Sequence, residues 1–257
     1  MSSPVELVSL GRFARVALAS GSARLIAVFE RSGYVETPAG LACVGGSGIG
    51  NGPLNAQAVA FPSGLAVGDT FHCEFGDARL WTPRAAPDWD AQTTASALAG
   101  LRLAARGRLP SEGFGFLLAG ASVRPAAVSA LVDWLSHPVG EPAGAAGLIG
   151  FGPGLTPAGD DLIGGALCAL RASGRDRTAD QLAHWVLPLA RAGTSRISVA
   201  HLACAAEGEC AEAVNDAIVA LISGAGPDLA RIDAIGHTSG WDALAGAALV
   251  LEERLKA

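Results

Sequence analysis

The chain reads as an α+β protein, with a small antiparallel, barrel-like β domain over residues 1–85 followed by a mostly α-helical domain over 86–257. Three observations predict this. Short apolar runs broken by turn residues fill the stretch 5–81. From residue 91 onward apolar residues recur at helical spacing, as in Val128, Leu131, Val132 and Leu135. Strands and helices are segregated along the chain rather than alternating, which disfavours a doubly wound parallel sheet.

The expected strands are 5–10 (VELVSL), 13–20 (FARVALAS), 24–30 (RLIAVFE), 41–45 (LACVG), 54–61 (LNAQAVAF) and 69–75 (DTFHCEF). Turn signals at Gly11, Ser20-Gly21, Ser32-Gly33, Pro38, Gly45-Gly46, Pro62-Ser63-Gly64 and Gly76-Asp77 bound them. The run VGGSGIGNGPLN is too rich in glycine to be a strand throughout. The segment WTPRAAPDWD, 81–90, marks the domain boundary. Beyond it helices are expected at 91–106, 125–136, 157–172, 178–189, 195–207, 210–223 and 240–255.

A chain of 257 residues can bury a full core. Half of its residues are apolar, but they are dispersed among 34 glycines, and no window holds the roughly 20 unbroken apolar residues of a membrane span. The start, MSSPVELVSLGRFARV, lacks the order of a secretory signal, so a soluble protein in the cytoplasm is expected, with no membrane partner. The five cysteines are odd in number, widely spaced and free of any C-x-x-C pair, as reduced, buried thiols would be. A net charge of −6 without a Lys/Arg cluster offers nucleic acid no basic surface.

The segment GFGPGLTPAGDDLIGG, 150–165, has the order of a loop feeding a helix: Thr156 as N-cap, Pro157 at the first helical position, Asp160 and Asp161 in the first turn. Gly150, Gly152 and Gly154 just upstream, with Gly159, leave backbone N–H groups for a phosphate or carboxylate at the positive helix end. No Gly-Lys-Ser/Thr follows and no strand precedes, so it is neither a Walker loop nor a dinucleotide fingerprint. The bland alternative is a tight turn whose acids complement the helix dipole. Adjacent acids on a helix point about a quarter turn apart, so Asp160 and Asp161 cannot share one narrow face. Two carboxylates can also hold Mg²⁺ with waters; Mg²⁺ stays open as a cofactor, and no set of protein ligands for a metal is assigned.

The segment from Gly236 echoes that order with one residue skipped. Gly154/Gly236, Thr156/Thr238, Gly159/Gly240, Asp161/Asp242, Ile163/Leu244 and Gly165/Gly246 correspond. If the two helix starts face each other, Asp161 and Asp242 converge on one ligand. A capping box of Ser239 with Asp242 is the structural alternative. A third cluster, Thr194, Ser195 and Ser198 around Arg196, offers hydroxyls and a guanidinium suited to a carboxylate or phosphate. His237 sits inside the second glycine turn as a candidate proton carrier. No G-x-S-x-G elbow and no cysteine beside a histidine and a cation supports a nucleophile.

These segments, GFGPGLTPAGDDLIGG, TSRIS and GHTSGWDALAG, together with IGNGPLN in the first half, resemble a bacterial family formerly of unknown function. It includes a subunit of oxamate carbamoyltransferase from anaerobic allantoin degradation. The resemblance covers the second half well and the first mainly through Asn51, Gly52 and Pro53; GLTPAGDD is its specific core. It implies carbamoyl transfer between an oxamate-type acceptor and phosphate, alongside other carbamoyltransferase subunits. On that reading Gly150, Gly152, Gly154, Thr156, Gly159, Thr194, Ser195, Ser198, Thr238, Ser239, Gly240 and Asn51 bind the small anionic substrate. Asp160, Asp161, Asp242, His237 and Arg196 are the candidate catalytic residues. A noncatalytic scaffold subunit and a Mg²⁺-dependent hydrolase are the alternatives.

Overall fold

In the computed structural model, which describes residues 4–120 and 123–256, the chain divides into two compact units, Met1–Pro83 and Arg84–Ala257. The first is strand-rich. Its elements are β1 (Val5–Gly11), α1 (Arg12–Leu18), β2 (Ala23–Val28), β3 (Ser32–Thr37), β4 (Gly40–Gly45), β5 (Asn55–Ala58), β6 (Thr70–Phe71), β7 (Cys73–Glu74) and β8 (Arg79–Trp81). They form one near-barrel sheet in the order β6-β2-β3-β4-β5-β1-β7, with β8 pairing β1 as well. Val5, Leu7, Leu10, Leu25, Val35, Val44 and Phe71 point into its core.

The sheet departs from the expectation in two ways. The run 13–20, expected as a strand, is the helix α1: Ala14, Ala17 and Leu18 are buried while Arg12, Arg15 and Val16 are exposed, a spacing of three and four rather than two. The pairs β2/β3, β3/β4, β2/β6 and β1/β5 are antiparallel, but β4/β5, β1/β7 and β1/β8 are parallel. The glycine-rich run after β4 carries the chain back so that β5 starts beside the start of β4's last residues, and a parallel pair results. Two strands, β3 and β8, lie where no strand was expected, because Ser32-Gly33 reads as a turn and Arg79–Trp81 is only three residues long.

The second unit is largely helical: α2 (Ala91–Ala105), α3 (Ala126–Ser136), α4 (Ala158–Ala172), α5 (Asp176–Gly193), α6 (Arg196–Ala206), α7 (Glu212–Ile222), α8 (Leu229–Asp233) and α9 (Ser239–Arg254). Short 3-10 turns cover Gly115–Ala119 and Ala143–Leu148. Helices α4 and α9 are buried nearly all round, as the central elements of a bundle are. They pack on each other; α5, α6 and α7 flank α4, and α2, α3, α7 and α8 flank α9.

Glycine makes the central contact possible. A methyl group on Gly165 would overlap the carbonyl oxygen of Ala243, and one on Gly246 would overlap the carbonyl oxygen of Leu162. The two contacts are exchanged by the same 81-residue offset that relates Asp161 to Asp242. The two helices therefore meet through an internal pseudo-twofold relation, with backbone against backbone where any side chain would force them apart.

No helix among the described residues is long and apolar enough to cross a membrane. All five cysteines are free thiols. Burial pushes Cys43 and Cys73 up to about 12, and the side-chain hydrogen bond of the Cys168 thiol with Cys210, followed by burial, raises Cys168 well above its ordinary value. None of these three is poised as a thiolate.

Candidate functional site

The N-terminal ends of α4 and α9 lie together. Thr156 Oγ1, two residues before α4, is 3.1 Å from Ser239 Oγ, the first residue of α9. Both hydroxyls face the carboxyl of Asp161. Asp161 and Asp242 each lie four residues before a crossing glycine, hence on the same helix faces one turn nearer the joined ends. The pair is close enough for the charge of Asp242 to act on Asp161.

The two acids have unequal surroundings. Asp242 is fully buried, and its Oδ1 accepts the backbone N–H of Phe114 at 2.5 Å. Gly113 makes this approach possible, since its φ is +75° and a side chain there would overlap the Asp242 carboxyl. Burial raises the Asp242 pKa above the usual carboxylate range; the Phe114 amide, the Thr238 hydroxyl and the charge of His237 work against that. Burial also lifts Asp161, and well above its usual range. The Ser239 hydroxyl opposes the shift, while the charges of Asp242 and Asp160 reinforce it. The Oδ2 atoms of both Asp161 and Asp242 are buried, with no hydrogen-bond partner among the described residues.

Asp160 differs from its neighbour. It is 2 % exposed, its Oδ1 accepts the N–H of Gly150 at 2.9 Å, and its Oδ2 accepts the hydroxyls of Thr194 (2.5 Å) and Ser198 (2.7 Å). It ties the glycine loop, the end of α5 and the first turn of α6 together. Ser195 caps α6 by accepting the N–H of Ser198 at 3.0 Å and donates to the carbonyl of Leu155. Arg196 is exposed at the first position of α6.

Two capping expectations are corrected. Thr156 is not the cap of α4: Pro157 holds the N-cap position in extended conformation, no side chain caps the helix, and the Thr156 hydroxyl is used across the crossing instead. The Ser239–Asp242 capping box does not form. Thr238 precedes α9 without a side-chain cap, the N–H of Asp242 goes to the Thr238 carbonyl, and the carboxylate goes to Phe114. In both cases the side chains that would cap one helix bond to other segments of the unit instead.

The glycines divide by task. Gly150, Gly152 and Gly154 all have positive φ, in a loop whose residues 151–155 are exposed. Gly159 and Gly240 are packing residues, because a methyl on either would overlap the carbonyl of Leu148 or of Ile232. The N–H of Gly159 is donated to Phe151 and that of Gly150 to Asp160. His237 has φ +50° and an exposed side chain, its Nε2 3.7 Å from Glu112 Oε2. Asn51 belongs to the strand-rich unit, where its Oδ1 accepts from Ser9 (2.8 Å) and Gln57 (3.2 Å).

The structure thus brings together Thr156, Asp161, Thr238, Ser239 and Asp242 at the joined helix ends. It groups Gly150, Asp160, Thr194 and Ser198 in a second, adjoining network held by Asp160. The Gly113-Phe114 amide was missed: the segment SEGFGF lies far from both motifs in sequence, and only its two glycines beside phenylalanines hinted at a backbone approach. Among the described residues no group of three or more His, Cys, Asp and Glu side chains is placed to hold a metal ion.

Neither the curated proteins nor the solved structures contain a match to the chain. Residues 148–251, from the glycine loop through most of α9 and thus including both helix starts, match the family model described as oxamate carbamoyltransferase subunit AllH, the family that the motifs resemble.

Proposed function

We propose that the chain is a subunit of a carbamoyltransferase, and that its helical unit binds a small anionic amide where the N-terminal ends of α4 and α9 meet. The observation that carries this reading is the convergence of Asp161 and Asp242, with Thr156 and Ser239 between them, inside the segment that matches the family model. Two helix N-termini supply partial positive charge at that point. The hydroxyls supply rotatable donors and acceptors.

On this reading Asp161 and Asp242 orient the amide, and Gly152, Gly154 and Gly240 shape the pocket. Asp160, whose two oxygens already accept three donors, positions the loop and the segment bearing Thr194, Ser195 and Ser198. Arg196 neutralises substrate charge from the start of α6. In the reaction the bond from the carbamoyl carbon of oxalurate to the oxamate nitrogen breaks, and a phosphate oxygen takes the carbamoyl group. The proton lost by phosphate goes to the departing nitrogen, and His237 is the candidate to carry it.

The test is phosphate-dependent cleavage of oxalurate by the full chain, alone and with its partner subunits, followed as carbamoyl phosphate formed. Activity that requires this chain is the expected result. No activity in any combination overturns the substrate class.

A further inference from the structure

The joined helix ends hold two buried acceptors that no donor among the described residues reaches. Four of the backbone N–H groups around them are already used: Gly150 donates to Asp160, Gly159 to Phe151, Asp161 to Pro157 and Asp242 to Thr238. By contrast, Asp161 Oδ2 and Asp242 Oδ2 are both buried acceptors without a partner, and Asp242 is wholly removed from solvent. A buried acceptor left unpaired is costly, so two on facing helices call for a ligand that brings hydrogens. A carboxylate brings none, and burial beside two acids disfavours its charge.

We propose that the Asp161–Asp242 pair is the subsite for the uncharged primary-amide end of the ligand, the –CO–NH₂ group, and that the ligand's anionic end lies elsewhere. This rests on the reading above that the site takes a small anionic amide. A primary amide carries two N–H bonds on one nitrogen, one for each unpaired Oδ2. Its carbonyl oxygen is an acceptor for the Thr156 or the Ser239 hydroxyl, whichever turns its one hydrogen from the Asp161 carboxyl toward the ligand. The glycine crossing below the pair explains why the two acids are so close: with Gly165 and Gly246 at the contact, the carboxyls one turn away are drawn in with the helix axes.

Asp242 gives the proposal a directional test. Its Oδ1 is held by the Phe114 N–H, so in Asp242→Asn the side-chain oxygen stays on that amide and the nitrogen falls at the Oδ2 position. One acceptor becomes a donor without change of shape. Calorimetric titration of the full chain, alone and assembled with its partner subunits, uses three probes that share one carboxylate: oxamate, pyruvate and oxalate. They present NH₂, CH₃ and a second carboxylate oxygen at the same place. The unaltered chain is expected to bind oxamate about tenfold or more tightly than either of the others. Asp242→Asn is expected to abolish that preference or turn it toward oxalate, with thermal unfolding as the check on its fold.

Equal binding of the three probes by the unaltered chain, or an unchanged preference in Asp242→Asn, overturns the amide subsite and leaves the carbamoyltransferase reading standing. No binding of any probe at millimolar concentration, with or without partners, overturns both. The probe series on the unaltered chain decides the proposal even if Asp242→Asn does not fold.

Discussion

The two glycine turns, 150–165 and 236–246, share one order of residues and put it to different uses. Where the helices cross they are equivalent: Gly165 rests on the carbonyl of Ala243 as Gly246 rests on that of Leu162. Ahead of the crossing they diverge. The first turn is long, exposed and rich in positive φ, and its extra acid, Asp160, anchors it to α5 and α6. The second is short, has no counterpart of Asp160, and places the strained His237 where the first places glycine-rich loop. Its acid, Asp242, is anchored by a third segment through Phe114. Symmetry is thus kept where backbones touch, because close packing tolerates no substitution there. It is lost in the loops, where the chain has room to vary.

The sharpest way to break the equivalence is at the crossing itself. Gly165→Ala and Gly246→Ala each drive a methyl group into a backbone oxygen that cannot rotate away, and each is expected to cost about 3 kcal/mol or more of stability. Urea unfolding of the two variants checks it through the midpoint. Nearly equal losses uphold the pseudo-twofold contact; a loss at one position alone would show that only one side of the crossing is tight.

A smaller effect separates the acids. A carboxyl whose folded-state pKa lies above its ordinary value makes the folded protein bind the proton more readily than the unfolded chain. Its contribution is most favourable below the unfolded value of 3.8, and stability is lost as pH rises from there through the raised folded pKa. Asp161 and Asp242 both act in this sense. Asp161→Asn removes one of the two groups, so stability in that variant is expected to fall less steeply than in the unaltered protein as pH increases above 4. Denaturant midpoints across pH 4–8 measure it. An unchanged slope would mean that the Asp161 carboxyl is solvated when ionised.

The smallest effect concerns the strained turn. His237→Gly relieves a left-handed backbone worth about 1 kcal/mol, offset in part by the greater freedom of glycine when unfolded, for a net gain near 0.5 kcal/mol. If the strain serves proton transfer, carbamoyl phosphate formation falls although stability does not. Full activity in this variant would remove His237 from the proposed chemistry.

Much of the fold was legible in the sequence because it rests on local signals. The seven helices from α2 to α7 and α9 follow the spacing of apolar residues and the Asp, Ser and Pro signals at their starts; α8, five residues long, was too short to register. The strand-rich unit was legible in kind but not in detail. Ala14, Ala17 and Leu18 fit a helix face, yet the flanking Phe13 and Val16 make the same eight residues alternate well enough for a strand. The parallel pairs were hidden for another reason, since pairing partners are set by the path of the chain and not by the composition of a strand.

For the candidate site, the sequence by itself determined that two helices begin with a glycine, a threonine and an aspartate in matching order, because helix starts depend on residues within a few positions of one another. It did not determine what those residues touch. Thr156 and Ser239 suit a cap equally well on local grounds, and Asp242 suits a capping box. Only the tertiary structure decided that their side chains are used across the helix pair, that Asp160 is occupied while Asp161 and Asp242 each keep an unpaired oxygen, and that an amide 128 residues away holds Asp242 in place. The physical reason is that a hydroxyl or carboxylate bonds whichever partner packing brings within about 3 Å, and packing is a property of the whole core.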